Sequence, residues 1–117
     1  MAFRFEELRV WQEALRLCNE IHTIAKAFPK EELYSLSSQI KRAADSVVLN
    51  IAEGSTGQSK PEFKRFVRIA LRSGIEVVAC LFIANTRKYI DAGTFKKYYE
   101  EYEAICKMMT RLINSMS

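Results

Sequence analysis

Five basic side chains fall between positions 60 and 72, Lys60, Lys64, Arg65, Arg68 and Arg72, against one acid, Glu62. Lys60, Lys64, Arg68 and Arg72 stand at i, i+4, i+8 and i+12, so on a helix they form a ladder along one face, with Arg65 beside it. The segment's net charge of +4 equals the formal charge of the whole chain, which leaves the remainder neutral. A basic ladder without balancing acids is an electrostatic footprint for phosphates, and repetition around an oligomer would multiply it. Lys41 and Arg42 are lesser candidates for the same role. A plain solvated helix face is the alternative. Base-specific recognition has no support, because the chain lacks both a helix-turn-helix pattern and the aromatic platform motifs of RNA-binding sheets.

A second constellation precedes the ladder. At 100° per residue, Gln39, Arg42, Ser46, Asn50 and Glu53 fall within an arc of about 80° that borders an apolar face. Buried polar groups need partners, so the stripe predicts a hydrogen-bonded network between helices or subunits, joined by Ser73 and Glu76. A polar groove for a ligand is the competing reading. The structural one is favoured, since Arg42 and Glu53 carry opposite charges that can satisfy each other or their neighbours.

Catalytic chemistry finds little to work with. Helical bundles that hold two metals use carboxylates with a repeated Glu-x-x-His, whereas this chain has one histidine, His22, set on an apolar face. A Cys-His or Ser-His nucleophilic pair would need that same residue. Cys18, Cys80 and Cys106 are odd in number, far apart and embedded in apolar helical patterns, which fits reduced, buried thiols better than disulfides or a metal site. The loop from Gly54 to Gln58 is too short for a phosphate-cradling loop and lacks its Gly-Lys-Ser/Thr ending. Tyr98, Tyr99 and Tyr102 sit on a packing seam. The expectation is a non-enzymatic protein with no cofactor and no metal.

Four periodic segments must position these residues, at about 5–27, 34–53, 60–88 and 92–115. In the first, Leu8, Trp11, Leu15, Cys18, His22 and Ala25 mark one helical face. A second row, Val10, Leu17, Ile21, Ile24 and Phe28, widens the apolar coverage of the helix beyond what a monomeric bundle needs, so part of that coverage is expected to pack on another subunit. Pro29 ends that helix. Glu31 and Glu32 suit the positive end of the second helix, whose arc runs through Leu36, Ile40, Ala43, Ala44, Val47, Val48 and Ile51. Ser59, with Pro61 and Glu62 behind it, reads as a capping box. The stretch from Val77 to Ala84 is apolar all round and needs cover on several sides. Asp91 is a cap for the fourth helix, where Phe95, Tyr98, Tyr102, Ile105, Met109, Leu112 and Met116 alternate steps of three and four. Exposed charges are expected to pair at helical spacing, as in Arg9 with Glu13, Arg16 with Glu20 and Glu103 with Lys107. The fold class is therefore all-α, an antiparallel up-down-up-down four-helix bundle spanning residues 1–117 as one domain.

Composition agrees. At 117 residues, 49% hydrophobic and 27% charged, with four glycines and two prolines, the chain suits one soluble helical domain to which oligomerisation would add useful stability. The N-terminal run MAFRFEELRVW lacks the apolar stretch of a secretory signal, and the longest apolar run is far short of a membrane span, so a cytoplasmic location is expected.

The segments FEELRVWQEALRL, AFPKEELYSLSSQIKRAADSVVLNIAEG and EFKRFVRIALRSGIE resemble the four-helix bundle proteins named after open reading frames within intervening sequences of bacterial 23S ribosomal RNA. The most specific matches are Val10-Trp11-Gln12, Phe28-Pro29, Gln39-Ile40, Arg42-Ala43, Asn50 to Gly54 and Glu62-Phe63. The resemblance implies an antiparallel bundle assembled as a ring-like homo-oligomer, typically a pentamer, without an established activity. Similar bundles serve as accessory proteins of diversity-generating retroelements, where a basic surface engages nucleic acid and a reverse transcriptase. Three positions depart from the pattern: Ser35 and Arg72 stand where glycine is common, and Gln58 where arginine is. The resulting expectation is a cytoplasmic homo-oligomer that binds RNA or DNA non-specifically through the ladder. The alternative is a protein-interaction scaffold or accessory subunit that docks a partner protein.

Overall fold

A computed structural model describes residues 2–57 and 59–116. Gln58, the loop position where a base is often found, lies outside the described residues. Four α-helices make up the fold: α1 (Arg9–Lys26), α2 (Leu36–Gly54), α3 (Lys60–Thr86) and α4 (Ala92–Ser115). Among the described residues there is no strand. Each helix packs on the next, α2 with α3 most extensively, and α4 returns to α1, while among the described residues neither diagonal pair brings its backbones close. With connections this short, the chain runs up, down, up and down through a rod of 43 × 22 × 22 Å, as the periodicity predicts.

The core follows the apolar arcs. Leu17, Ile21, Ile40, Ile51, Leu81, Ile105 and Met109 are fully buried, each contributing on the order of 2 kcal/mol of apolar burial. On α4 the three-four seam supplies Tyr98, Tyr102, Ile105 and Met109 to the interior. Asp91 caps α4 by accepting from the Thr94 N–H at 2.7 Å. Ser59 caps α3 through the Glu62 N–H, but the Glu62 carboxylate turns to Arg65, so only half of the expected capping box forms.

Several expectations need correction. The first helix starts at Arg9, not near Phe5, because residues Arg4–Glu7 form a separate 3-10 turn and Leu8 is extended. That turn folds back on α1, its Phe5 ring against Trp11 at 4.6 Å. The second apolar row of α1 is the core-facing one: Val10, Leu17, Ile21 and Phe28 are buried within the chain itself, and Leu15 is the exposed apolar residue of the other row. Arg9 and Glu13 do not pair; Arg16 gathers Glu13, Glu20 and, from α4, Glu101. The apolar end of α3 is not covered on all sides, for Phe82 is 51% exposed and Ile83 39%.

Glu32 does more than suit a helix dipole. Held in a 3-10 turn, its buried carboxylate accepts hydrogen bonds from the Tyr89 hydroxyl (2.7 Å), the Ser35 hydroxyl (2.7 Å) and the Arg87 guanidinium (2.8 Å), tying the α1–α2 connection to the α3–α4 connection. Tyr89 first, then Ser35, hold its carboxyl below the ordinary glutamate range. A depressed folded value means stabilisation present above the unfolded value of about 4.3 and lost as pH falls through the folded one. Glu32→Gln should therefore melt below wild type at neutral pH, with the gap closing as thermal melts are repeated below about pH 4.3. A gap that stays constant through the acid range would mean that the charge of Glu32 adds nothing.

Candidate functional site

Lys60, Lys64, Arg68 and Arg72 all lie on α3, one helical turn apart, so each step advances about 6 Å and rotates about 40°. The ladder winds around the outside of the helix. At its start Lys60 shares a small cavity with Met116, just beyond the end of α4; at its end Arg72 precedes Ser73, which lines a groove against α2. Among the described residues, none of these four side chains makes an ion pair or a hydrogen bond. Lys60, Arg68 and Arg72 are exposed and Lys64 is half-buried.

Arg65 differs. Its guanidinium donates to Glu62 at 2.9 Å, stacks 4.6 Å over the Phe66 ring, and feels Glu53 as well, so Glu62 foremost holds its proton more firmly than usual. Its charge is largely engaged within the protein. In partial exchange, Arg4 from the N-terminal turn lies 5.1 Å over the Phe63 ring and lines the same small cavity as Lys60. No local pattern could reveal Arg4, since only folding brings residue 4 beside residue 60.

The polar stripe divides into linked and unlinked members. Ser73 donates to the Ser46 hydroxyl at 2.8 Å, Asn50 donates to the Ser46 hydroxyl and carbonyl at 2.9 Å, and Gln39 donates to Glu76 at 3.1 Å. The Ser73–Ser46 and Gln39–Glu76 bonds stitch α2 to α3, while those of Asn50 stay within α2. Arg42 and Glu53 stand outside them and, among the described residues, form no ion pair with each other, because eleven residues of helix separate them by about 16 Å along the axis. Arg42 instead lines an open groove of about 500 Å³ together with Gln39, Ser46, Ser73 and Glu76. Network and groove therefore coexist. Lys41, one residue away, is half-buried and not among the groove's lining.

His22 is not simply packed on an apolar face. Its Nε2 lies 2.8 Å from Asp45 Oδ1 on α2, and the Cys18 thiol donates to that same oxygen at 3.0 Å. The carboxylate sits between thiol and imidazole, which is the wrong order for an imidazole to deprotonate a sulfur nucleophile. Burial first, then Asp45, pushes the Cys18 thiol up to about 12. Tyr98, also pushed up to about 12, by burial and then by Glu20, is likewise held protonated. Cys80 is buried, as expected of an inert thiol, but Cys106 is only half-buried beside a surface groove.

A model of the 23S rRNA-intervening sequence protein family matches residues 6–111 of the chain. No curated protein shows detectable similarity to it. A crystal structure of a protein of unknown function from the S23 ribosomal protein family of Bacteroides thetaiotaomicron superposes with a TM-score of 0.83, covering 90% of this chain and 95% of that one at 24% identity. At that identity the likeness speaks to the fold.

Proposed function

The chain belongs to the 23S rRNA-intervening sequence protein family, and from that premise we propose that it is a non-enzymatic, cytoplasmic bundle whose α3 face binds RNA, or another nucleic acid, without sequence specificity. The observation that carries this reading is the row of four cations, Lys60, Lys64, Arg68 and Arg72, with no protein partner among the described residues. Cations already paired would have to break those pairs to meet phosphate; these do not. Arg4 adds charge at the start of the row and Arg42 near its end, while Arg65 contributes less than its place in the sequence implies. Among the described residues no helix is long and apolar enough to cross a membrane.

Neutralising about four phosphates should give a fall of log affinity with log salt of slope about −3 to −4, measured by titrating the protein with labelled RNA across a salt series. Reversing Arg68 and Arg72 to glutamate should weaken binding at least tenfold at low salt and reduce the slope by about 2. Salt-independent binding, or none, overturns the reading.

We further propose that the bundle is a homo-oligomer, a pentamer if it follows the family resemblance. Two observations support assembly: Ile75 and Phe82 on α3 are 56% and 51% exposed, and a largely apolar groove of about 560 Å³ between α3 and α4 is lined by Leu71, Ile75 and Cys106. The same face favours the second reading, a scaffold or accessory subunit for a partner protein. That reading predicts that charge reversal at Arg68 and Arg72 leaves partner capture unchanged.

A further inference from the structure

Cys18 and His22 stand one turn apart on α1 and face Asp45 of α2, so that the thiol sulfur, the imidazole Nε2 and the carboxylate Oδ1 lie within 4.8 Å of one another. We propose that Cys18, His22 and Asp45 form a binding site for a single zinc ion, with water in the fourth position.

Three features of the geometry support it. A tetrahedral zinc with bonds of about 2.0 Å to nitrogen and oxygen and about 2.3 Å to sulfur needs nitrogen and oxygen about 3.3 Å apart, and sulfur and oxygen about 3.5 Å. The observed 2.8 Å and 3.0 Å would open by about half an ångström each, while the sulfur–nitrogen separation, within 4.8 Å, would close toward about 3.5 Å. Second, both helices that carry the ligands belong to the packed core, which holds Cys18 and Ala44, the neighbour of Asp45, in place. Third, the His22 and Asp45 side chains remain 37% and 47% exposed, giving an ion a route in and room for a water ligand.

Ligand chemistry selects the ion. Thiolate with imidazole and one carboxylate favours zinc, and cobalt as its surrogate, over magnesium or calcium, which require mostly oxygen. Binding replaces the two hydrogen bonds that Asp45 now accepts. The metal takes the Cys18 sulfur lone pair as the thiol proton leaves to solvent, and takes the Nε2 lone pair of the His22 tautomer protonated at Nδ1, so no oxidant or reductant is involved. The absence of a repeated Glu-x-x-His motif speaks against a two-metal carboxylate centre and has no bearing on a mononuclear site of this kind.

Cobalt(II) titration of the reduced, metal-free protein provides the test. One equivalent per chain should produce a thiolate-to-cobalt charge-transfer band in the near ultraviolet, and zinc should displace it. Cys18→Ser should abolish the band and His22→Gln should weaken cobalt binding at least tenfold, with far-ultraviolet circular dichroism checking that both remain helical. Should Cys18→Ser unfold, His22→Gln decides alone, because its side chain is partly exposed and outside the core. No band in the wild-type protein overturns the proposal, as does a band that survives Cys18→Ser or binding unchanged in His22→Gln. A band lost in Cys106→Ser but kept in Cys18→Ser would place the metal elsewhere and overturn it equally.

Discussion

Replacing Gly54 by alanine should destabilise the protein by about 2 kcal/mol, lowering its melting temperature by roughly 10 °C. Gly54 is the last residue of α2 and is buried against α3. A Cβ there would lie 2.7 Å from Phe66 Cβ and 3.1 Å from Phe63 Cδ1. Neither neighbour yields easily, since Phe66 Cβ is fixed to the α3 backbone and Phe63 is buried. Overpacking of this sort costs about 1–3 kcal/mol, and the gain in helix propensity of up to about 1 kcal/mol offsets part of it. Gly74→Ala is the internal comparison. Its Cβ would meet Cys106 Sγ at 3.1 Å and the flexible end of Met109 at 3.5 Å, so the loss there should be smaller. Denaturant unfolding of the three proteins tests the ranking; a Gly54→Ala variant as stable as wild type would mean that α2 and α3 can separate at no cost.

The largest effect on assembly is expected from Ile75→Asp combined with Phe82→Asp. Both side chains project from the outer face of α3 where the basic ladder gives way to apolar residues, and Phe82 packs its edge on Phe95 and Tyr99 at 4.8 and 6.0 Å. Two carboxylates on a face that a second copy must cover would each lose hydration without a partner. Light scattering should report an oligomer for wild type and a monomer of about 13.5 kDa for the variant, with helical content retained. A wild-type monomer at micromolar concentration, or a double variant that still assembles, removes this face from the interface.

Local pattern made the helices and most of the core legible. The arc of Leu36, Ile40, Val47 and Ile51 and the seam of Tyr98, Ile105 and Met109 are buried as periodicity requires. What local pattern could not supply is the pairing between elements. Glu32 looked like a dipole residue because its partners Arg87 and Tyr89 are more than fifty positions away. Arg65 stands beside the ladder as one more base in the sequence, but in the fold Glu62 and Phe66 engage it. Cys18 and His22 were visible as an i, i+4 pair, yet their apolar surroundings in the sequence concealed Asp45, which only the α1–α2 contact brings to them. Arg42 and Glu53 share an edge of α2 yet stand about 16 Å apart along it, so of the two ways their charges could be satisfied, by each other or by neighbours, the first is not formed among the described residues. Periodicity reports direction around a helix, not distance along it.

The bundle's fourth seam closes differently from the others. Where α1 meets α4 the contact is the least extensive between helices, and it is bridged by Arg16 with Glu101 at 2.9 Å and by Tyr98 donating to Glu20 at 2.7 Å. Arg16, Glu20 and Glu101 are partly exposed, so added electrolyte weakens this closure more than it weakens the extensive α2–α3 packing. The cation row is carried by α3, whose backbone, among the described residues, does not approach that of α1 closely. A salt series thus acts on two separate parts of one molecule, and thermal melts recorded over the same series distinguish loosening of the closure from release of a polyanion.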